Sequence, residues 1–215
     1  MLEYEAAADR IAQAGHEAVL DWGCGFGQMA DLLQRRGVRT TASEYDTAAP
    51  AGGELRQLDL FPGVHATFTS DTVRLPYADD SFDAVLSMGV LEHVADPDGS
   101  LEELARVLRP GGLMYVYKLP NRFSYLEAIA RRTGQPYHGQ RAEDVLYTVR
   151  TARELMERHG YEVLDIRYAN MLPLTVPGRL TTTLAPVIWA VNRLLARVPG
   201  LNRLATNVEL LARRD

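Results

Sequence analysis

The chain is short of thiols and of amines. Cys24 is its one cysteine, so no disulfide can form within the chain, and a lone thiol fits a reducing compartment. Lys118 is its one lysine, an imbalance that reads as coding bias rather than chemistry. No run of about 18 uninterrupted apolar residues occurs, so no transmembrane helix is expected. The first residues, Met1-Leu2-Glu3-Tyr4-Glu5, lack the basic and apolar regions of a signal peptide, and a cytoplasmic protein is expected. No His or Cys pair has metal-ligand spacing, so no metal is expected. A formal net charge of −5 argues against a nucleic-acid partner, whose phosphates need a basic face.

With 215 residues, 47% of them hydrophobic, the chain can bury a core as one domain with an appendage. Short β-type runs occur at Ala18–Leu20, Val38–Ser43, Val64–Ser70, Phe82–Ser87, Leu113–Tyr117, Tyr161–Tyr168 and Thr206–Arg213. Helical patterns fall between them at Gln28–Arg36, Asp98–Leu108 and Ala152–His159, the last with Thr151 as N-cap, and a further helix precedes the first strand at Tyr4–Ala14. Ala49-Pro50-Ala51-Gly52-Gly53 leaves Thr47–Pro62 irregular. Strands alternating with helices predict an α/β fold with a mostly parallel sheet and helices on both faces. Residues 1–170 read as a core, 171–205 as a helical appendage, and 206–215 as a last strand returning to the sheet.

The chain is organised around Val19-Leu20-Asp21-Trp22-Gly23-Cys24-Gly25-Phe26-Gly27-Gln28. Apolar residues lead into an acid, then glycine stands at every second position. Glycine lets a ligand approach the main chain closely. The spacing is G-x-G-x-G, with Gln28 where a dinucleotide fingerprint carries its third glycine. Asp21 would repel a pyrophosphate but can hold an ammonium group. The loop therefore asks for a cationic, phosphate-free ligand, and S-adenosyl-L-methionine (SAM) fits.

The stretch from Ala18 to Tyr168 resembles the class I SAM-dependent methyltransferases. Val19 to Gly27 is similar to that family's motif I. Glu44 stands in the place of its ribose-binding acid, with Asp46 a rival two residues on. Asp71, followed by Leu75-Pro76-Tyr77 and Ser81-Phe82-Asp83-Ala84-Val85, resembles the segment whose acid meets the adenine amino group. Met88-Gly89-Val90-Leu91-Glu92-His93-Val94 and Leu108-Arg109-Pro110-Gly111-Gly112 look most like the small-molecule branch that includes the ubiquinone-biosynthesis methyltransferases. The resemblance implies a Rossmann-like seven-stranded sheet with strand seven antiparallel. It implies SAM as cofactor, with Asp21, Gly23, Cys24, Gly25, Gly27, Glu44, Asp71 and Met88 around it. No Asn/Asp-Pro-Pro-Tyr/Phe tetrapeptide follows the fourth strand, which lowers nucleic-acid and protein acceptors.

Methyl transfer from an activated sulfonium needs mainly proximity and alignment, and a hydroxyl acceptor adds the need for a base. His93 reads either as a base or ligand-shaping group or as a histidine packed on the Pro97 turn. His138 reads as a base or as a solvent-exposed loop residue. Cys24 is a small packed residue, and Trp22 and Phe26 are packing or pocket lining. The expected reaction is O-methylation of a small, hydrophobic molecule. The alternatives are an NAD(P)-dependent oxidoreductase and a non-catalytic SAM- or lipid-binding module.

In the appendage, Leu184, Val187, Ile188, Val191, Leu194, Leu195 and Val198 form one helical stripe. Trp189, Asn192, Arg193 and Arg197 fall away from it. Pro186 suits a first turn, so the helix is expected to begin near it. Three uses of the stripe stand open: packing onto the core or covering a substrate pocket, a peripheral membrane contact through 179–205, and a homodimer contact. Arg179, Arg193, Arg197, Arg203, Arg213 and Arg214 against Glu209 and Asp215 favour an anionic lipid surface for the second.

Overall fold

The computed structural model describes residues 2–134, 144–172 and 179–215, with side chains of the last segment from 184 onward. Its strands are β1 (Val19–Trp22), β2 (Thr40–Tyr45), β3 (Glu54–Gln57), β4 (His65–Thr69), β5 (Phe82–Met88), β6 (Leu108–Pro120), β7 (Tyr161–Ala169) and β8 (Asn207–Arg214). Its helices are α1 (Leu2–Gln13), α2 (Gln28–Gln34), α3 (Pro97–Val107), α4 (Tyr125–Thr133), α5 (Val149–Arg158) and α6 (Arg179–Leu195), and a short 3-10 turn spans Leu201–Leu204.

One sheet runs in the order β3-β4-β2-β1-β5-β6-β8-β7. Strands β4, β2, β1, β5 and β6 pair in parallel, and β8 runs antiparallel between β6 and β7. The seven expected strands are present, with the last one antiparallel as expected. An eighth, β3, adds an antiparallel edge from the stretch expected to be irregular. Arg56 explains why it forms: its guanidinium meets Asp46 and Glu54 and lies 4.8 Å above the Phe68 ring.

Alternation along the central strands divides the core into two layers. Leu20, Val85, Met114 and Val116 face Leu101 and Leu104 of α3 and Leu155 and Met156 of α5. Val19, Ala84, Leu86, Tyr115 and Tyr117 face Ala8 and Ile11 of α1 and Met29 and Leu33 of α2. Strand β5 is buried on both faces, as its apolar run predicts.

Several helix limits move. Helix α5 starts three residues before the expected position, because Thr148 and not Thr151 is the N-cap. The Thr148 hydroxyl accepts from Thr151 N–H at 3.0 Å, and Thr151 Oγ1 accepts from Thr148 N–H at 2.9 Å. Helix α3 starts at Pro97, where Asp96 accepts from Gly99 N–H at 2.9 Å. Helix α6 starts seven residues before Pro186, which sits inside it and supplies no N–H to its ladder.

The stripe on α6 does not pack onto the core. Val187 (59% exposed), Leu194 (65%), Leu184 and Val198 face outward, while Ile188, Val191 and Leu195 are half-buried at its edge. The buried position is Asn192, whose side chain accepts from Leu172 N–H at 2.6 Å and donates to Leu172 O at 3.0 Å. That pair of hydrogen bonds, to a residue three beyond the end of β7, sets the rotation of the helix and turns the polar side inward.

Candidate active site

The glycine loop is pinned between β1 and β2. Gly23 and Cys24 N–H groups both donate to Ser43 O at 2.9 Å, and Gly27 N–H donates to Cys24 O at 2.9 Å. Gly23, Gly25 and Gly27 all have positive φ, a conformation that disfavours side chains. A Cβ on Gly23 would meet both Val90 methyls at 2.6 Å, so the loop also lies against the segment after β5. A Cβ on Gly25 would meet nothing within 4 Å, which marks the open face of the loop. Cys24 is partly buried, and burial pushes its thiol up, with Asp21 and Glu44 adding to the rise, which disfavours the nucleophilic thiolate. Trp22 is buried in the core, whereas Phe26 is 75% exposed.

Asp21 is the last residue but one of β1 and is buried. Burial raises its carboxyl to about 7, Ala30 N–H from α2 opposes the rise, and Glu44 adds to it. Its Oδ2 is buried without a hydrogen-bond partner. An unmet buried acceptor of this kind needs a donor, and a ligand ammonium would supply one. Glu44, at the end of β2, reaches the same loop: its Oε2 accepts from Gly25 N–H at 2.5 Å. Asp46 is engaged elsewhere, with Arg56 and with Ala48 N–H, and the turn and ion pair hold it below the usual carboxylate range. Of the two acids open in the sequence, Glu44 is the one facing the glycines.

Asp71 lies two residues beyond β4, on the same rim of the sheet. Its Oδ1 accepts from Val73 N–H at 3.0 Å and Arg74 N–H at 2.7 Å, and these bonds lower its carboxyl. Met88 ends β5 opposite Tyr117 of β6, and Gly89 N–H donates to Tyr117 O at 3.0 Å. Loop, Glu44, Asp71 and Met88 thus share the rim where parallel strands end, the usual ligand side of an open α/β sheet.

Beyond Met88 a polar cluster follows. His93 Nδ1 lies 2.8 Å from Asp144 Oδ1, and Nε2 lies 3.8 Å from Glu92 Oε1. Glu92 is buried, its Oε2 has no hydrogen-bond partner, and burial pushes its carboxyl up, against the pull of its own backbone N–H and of His93. His138 lies outside the described residues.

A cavity of about 510 Å³ opens on the other side of Met88, between α1 and α6. Its floor carries Tyr117, Lys118, Arg167 and Glu209, and Trp189, Asn192 and Arg193 of α6 cover it. Tyr117 is buried; among the described residues its hydroxyl has no partner within hydrogen-bond distance, and burial pushes it up to about 12, with Arg10 nearby opposing. Lys118 holds a left-handed backbone, φ 64, at the irregularity between β6 and β8. Its ammonium donates to Tyr4 Oη at 3.2 Å and lies 3.6 Å from Glu3. Sequence reasoning did not single out Glu92, which the structure places in the polar cluster beside His93, or Tyr117 and Lys118, which it places in the cavity wall. The lone lysine beside an aromatic at the end of a strand was the available signal.

Residues 20–116 match the family described as "Methyltransferase domain". That span takes in the glycine loop, Glu44, Asp71, Met88 and His93. The matched residues are a methyltransferase domain, and the chain is similar to SAM-dependent methyltransferases. SAM is the cofactor that the family and fold imply. The chain is 34% identical over 167 residues to a "Probable S-adenosylmethionine-dependent methyltransferase" of Mycolicibacterium smegmatis, covering 75% of this chain and 59% of that one. It is 37% identical over 120 residues to a ubiquinone biosynthesis O-methyltransferase of Xanthomonas axonopodis pv. citri, covering 55% of this chain and 48% of that one. The chain thus spans about half the length of these curated relatives. A SAM-dependent methyltransferase from Archaeoglobus fulgidus shares the fold at a TM-score of 0.58 and 16% identity, covering 98% of this chain and 94% of that one.

Proposed function

We propose that the protein transfers the methyl group of SAM to an oxygen of a small, hydrophobic molecule held between α1 and α6. One observation carries the reading: Met88 belongs both to the rim that bears Asp21, Glu44 and Asp71 and to the wall of the cavity. A donor on the rim and an acceptor in the cavity would meet at that residue. In this reading residues 1–170 are the SAM-binding core, 171–205 cover the acceptor, and 206–215 close the sheet.

SAM supplies an activated methyl, so the chain's task is alignment and exclusion of water. Asp21 would hold the amino-acid end, with Gly23, Cys24, Gly25 and Gly27 letting it approach the main chain. Glu44, now bonded to Gly25 N–H, can accept from both ribose hydroxyls. Asp71 keeps a second carboxylate oxygen for the adenine amino group. Tyr117 and Lys118 offer donors to a polar group on the acceptor, and Trp189 and Met88 offer it apolar surface. His93 and His138 are the candidate bases; His93 lies across Met88 from the cavity, and its hydrogen bond to Asp144 orients the ring. The O-methyltransferase relative supports oxygen as the acceptor atom.

Calorimetry with SAM and with NADH tests the cofactor. NADH binding without SAM binding would replace the reading with a dinucleotide oxidoreductase. Radiolabelled SAM incubated with lipid and polar extracts tests the reaction, and label in an apolar fraction is expected. Binding of SAM with no labelled product in either extract would leave a non-catalytic SAM-binding module.

A further inference from the structure

We propose that the outer face of α6 and the turn after it dock on an anionic lipid surface. The proposal stands on what the helix turns outward, and it does not depend on the acceptor's identity. Amphipathic helices of globular proteins ordinarily bury the apolar side. Here Asn192, fastened to both backbone groups of Leu172, fixes the reverse. Val187, Leu194, Val198, Leu201 and Leu204 are left in solvent along one side of the helix and its following turn. A contiguous apolar face of this kind marks an interaction surface.

Charge identifies the partner. From Asn170 to Val208 the sequence has no Asp or Glu, yet it carries Arg179, Arg193, Arg197 and Arg203, in a chain of net charge −5; Arg193 and Arg197 also line the edge of the cavity. Arg197 and Arg203 are exposed and join no ion pair with the described residues, and Arg193 lies 4.7 Å from the centre of the Trp189 ring. Apolar residues flanked by arginines, with no acid among them, suit a bilayer interface rich in anionic headgroups. A second copy suits it less, because two-fold pairing would set one arginine-bearing face against another with no acid on either to answer the charge. The helix lies on the surface and does not span it: among the described residues no helix is long and apolar enough to cross. The opposite side of the same helix, through Trp189, Asn192 and Arg193, lines the cavity, so a molecule leaving the lipid would enter beside α6.

Flotation of the full chain with phosphatidylglycerol–phosphatidylcholine vesicles, against phosphatidylcholine alone, tests this. The wild type should float with the anionic vesicles only and be released by salt. Val187→Glu with Leu194→Glu should stay at the bottom of the gradient, with melting temperature and SAM calorimetry unchanged. Arg203→Gln, which keeps the apolar face, should weaken binding about fivefold. The proposal fails if the wild type ignores anionic vesicles, or if both variants bind as it does. It also fails if sedimentation velocity finds a dimer that Leu194→Glu dissolves, since the face would then belong to a second copy. SAM binding is read separately, so loss of vesicle binding and loss of the methyl-transfer reading cannot be confused.

Discussion

Replacing Asp21 with Asn should strengthen the ligand-free fold and weaken the ligand, two effects of opposite sign from one atom. In the folded chain the carboxyl titrates near 7, against an ordinary value of 3.8. A carboxyl raised on folding contributes stability that is fully present below the unfolded value and is lost as pH rises through the folded one. The gap of about three units corresponds to a ceiling of about 4 kcal/mol, lost between roughly pH 4 and pH 7. Asn carries no charge to bury and keeps the acceptor for Ala30 N–H, but it adds an amide N–H that costs about 1–2 kcal/mol if unmet. Asp21→Asn should therefore be more stable than wild type at pH 8 by about 2 kcal/mol, or about 4–8 °C in melting temperature for a chain of this size. At pH 5 the difference should shrink. SAM affinity should move the other way, falling about 100-fold as the charge-assisted bond is lost. Wild-type affinity should weaken about tenfold per pH unit below 7, because binding must release the Asp21 proton, and the variant should lack that slope. Thermal melts at the two pH values and SAM calorimetry across the range read all of this. A variant no more stable than wild type at pH 8, with unchanged SAM affinity, would refute the account of Asp21.

Two glycines a step apart should respond differently. Gly23→Ala forces a Cβ against the stiff Val90 and a side chain into positive φ, and should cost about 2 kcal/mol or more by urea unfolding. Gly25→Ala meets no neighbour, so it should cost only about 1–2 kcal/mol from its φ, yet lose most SAM binding by calorimetry because it fills the open face. Tyr117→Phe removes a buried hydroxyl with no partner; the fold should gain about 1 kcal/mol, while KM for the acceptor rises and SAM affinity holds.

The fold was legible where local chemistry and tertiary demand agree. The apolar run of β5, the glycine loop and the β-branched β2 each declare themselves, and the antiparallel last strand followed from the family resemblance. The edge strand β3 was not legible, because its order comes from Arg56 reaching Asp46, Glu54 and Phe68, contacts made only once the chain is folded. Helix α6 shows the limit most plainly. Periodicity locates its apolar stripe, but which side faces the body is decided by Asn192 and the backbone of Leu172, twenty residues away in the chain. At the site, the spacing of Asp21, the glycines and Glu44 suffices to propose a cofactor. The buried, unpartnered oxygens of Glu92 and Tyr117 are properties of packing, and no spacing announces them.

Lys118 holds the chain's only ε-amino group, and it lies in the cavity wall beside Tyr4 and Glu3. Lysine-directed reagents therefore have a single side-chain target in the whole molecule. Acylation of that one amine, followed as a single mass increment, would report whether the cavity is filled. A compound that protects Lys118 from labelling is a candidate acceptor, found without knowing the reaction it undergoes.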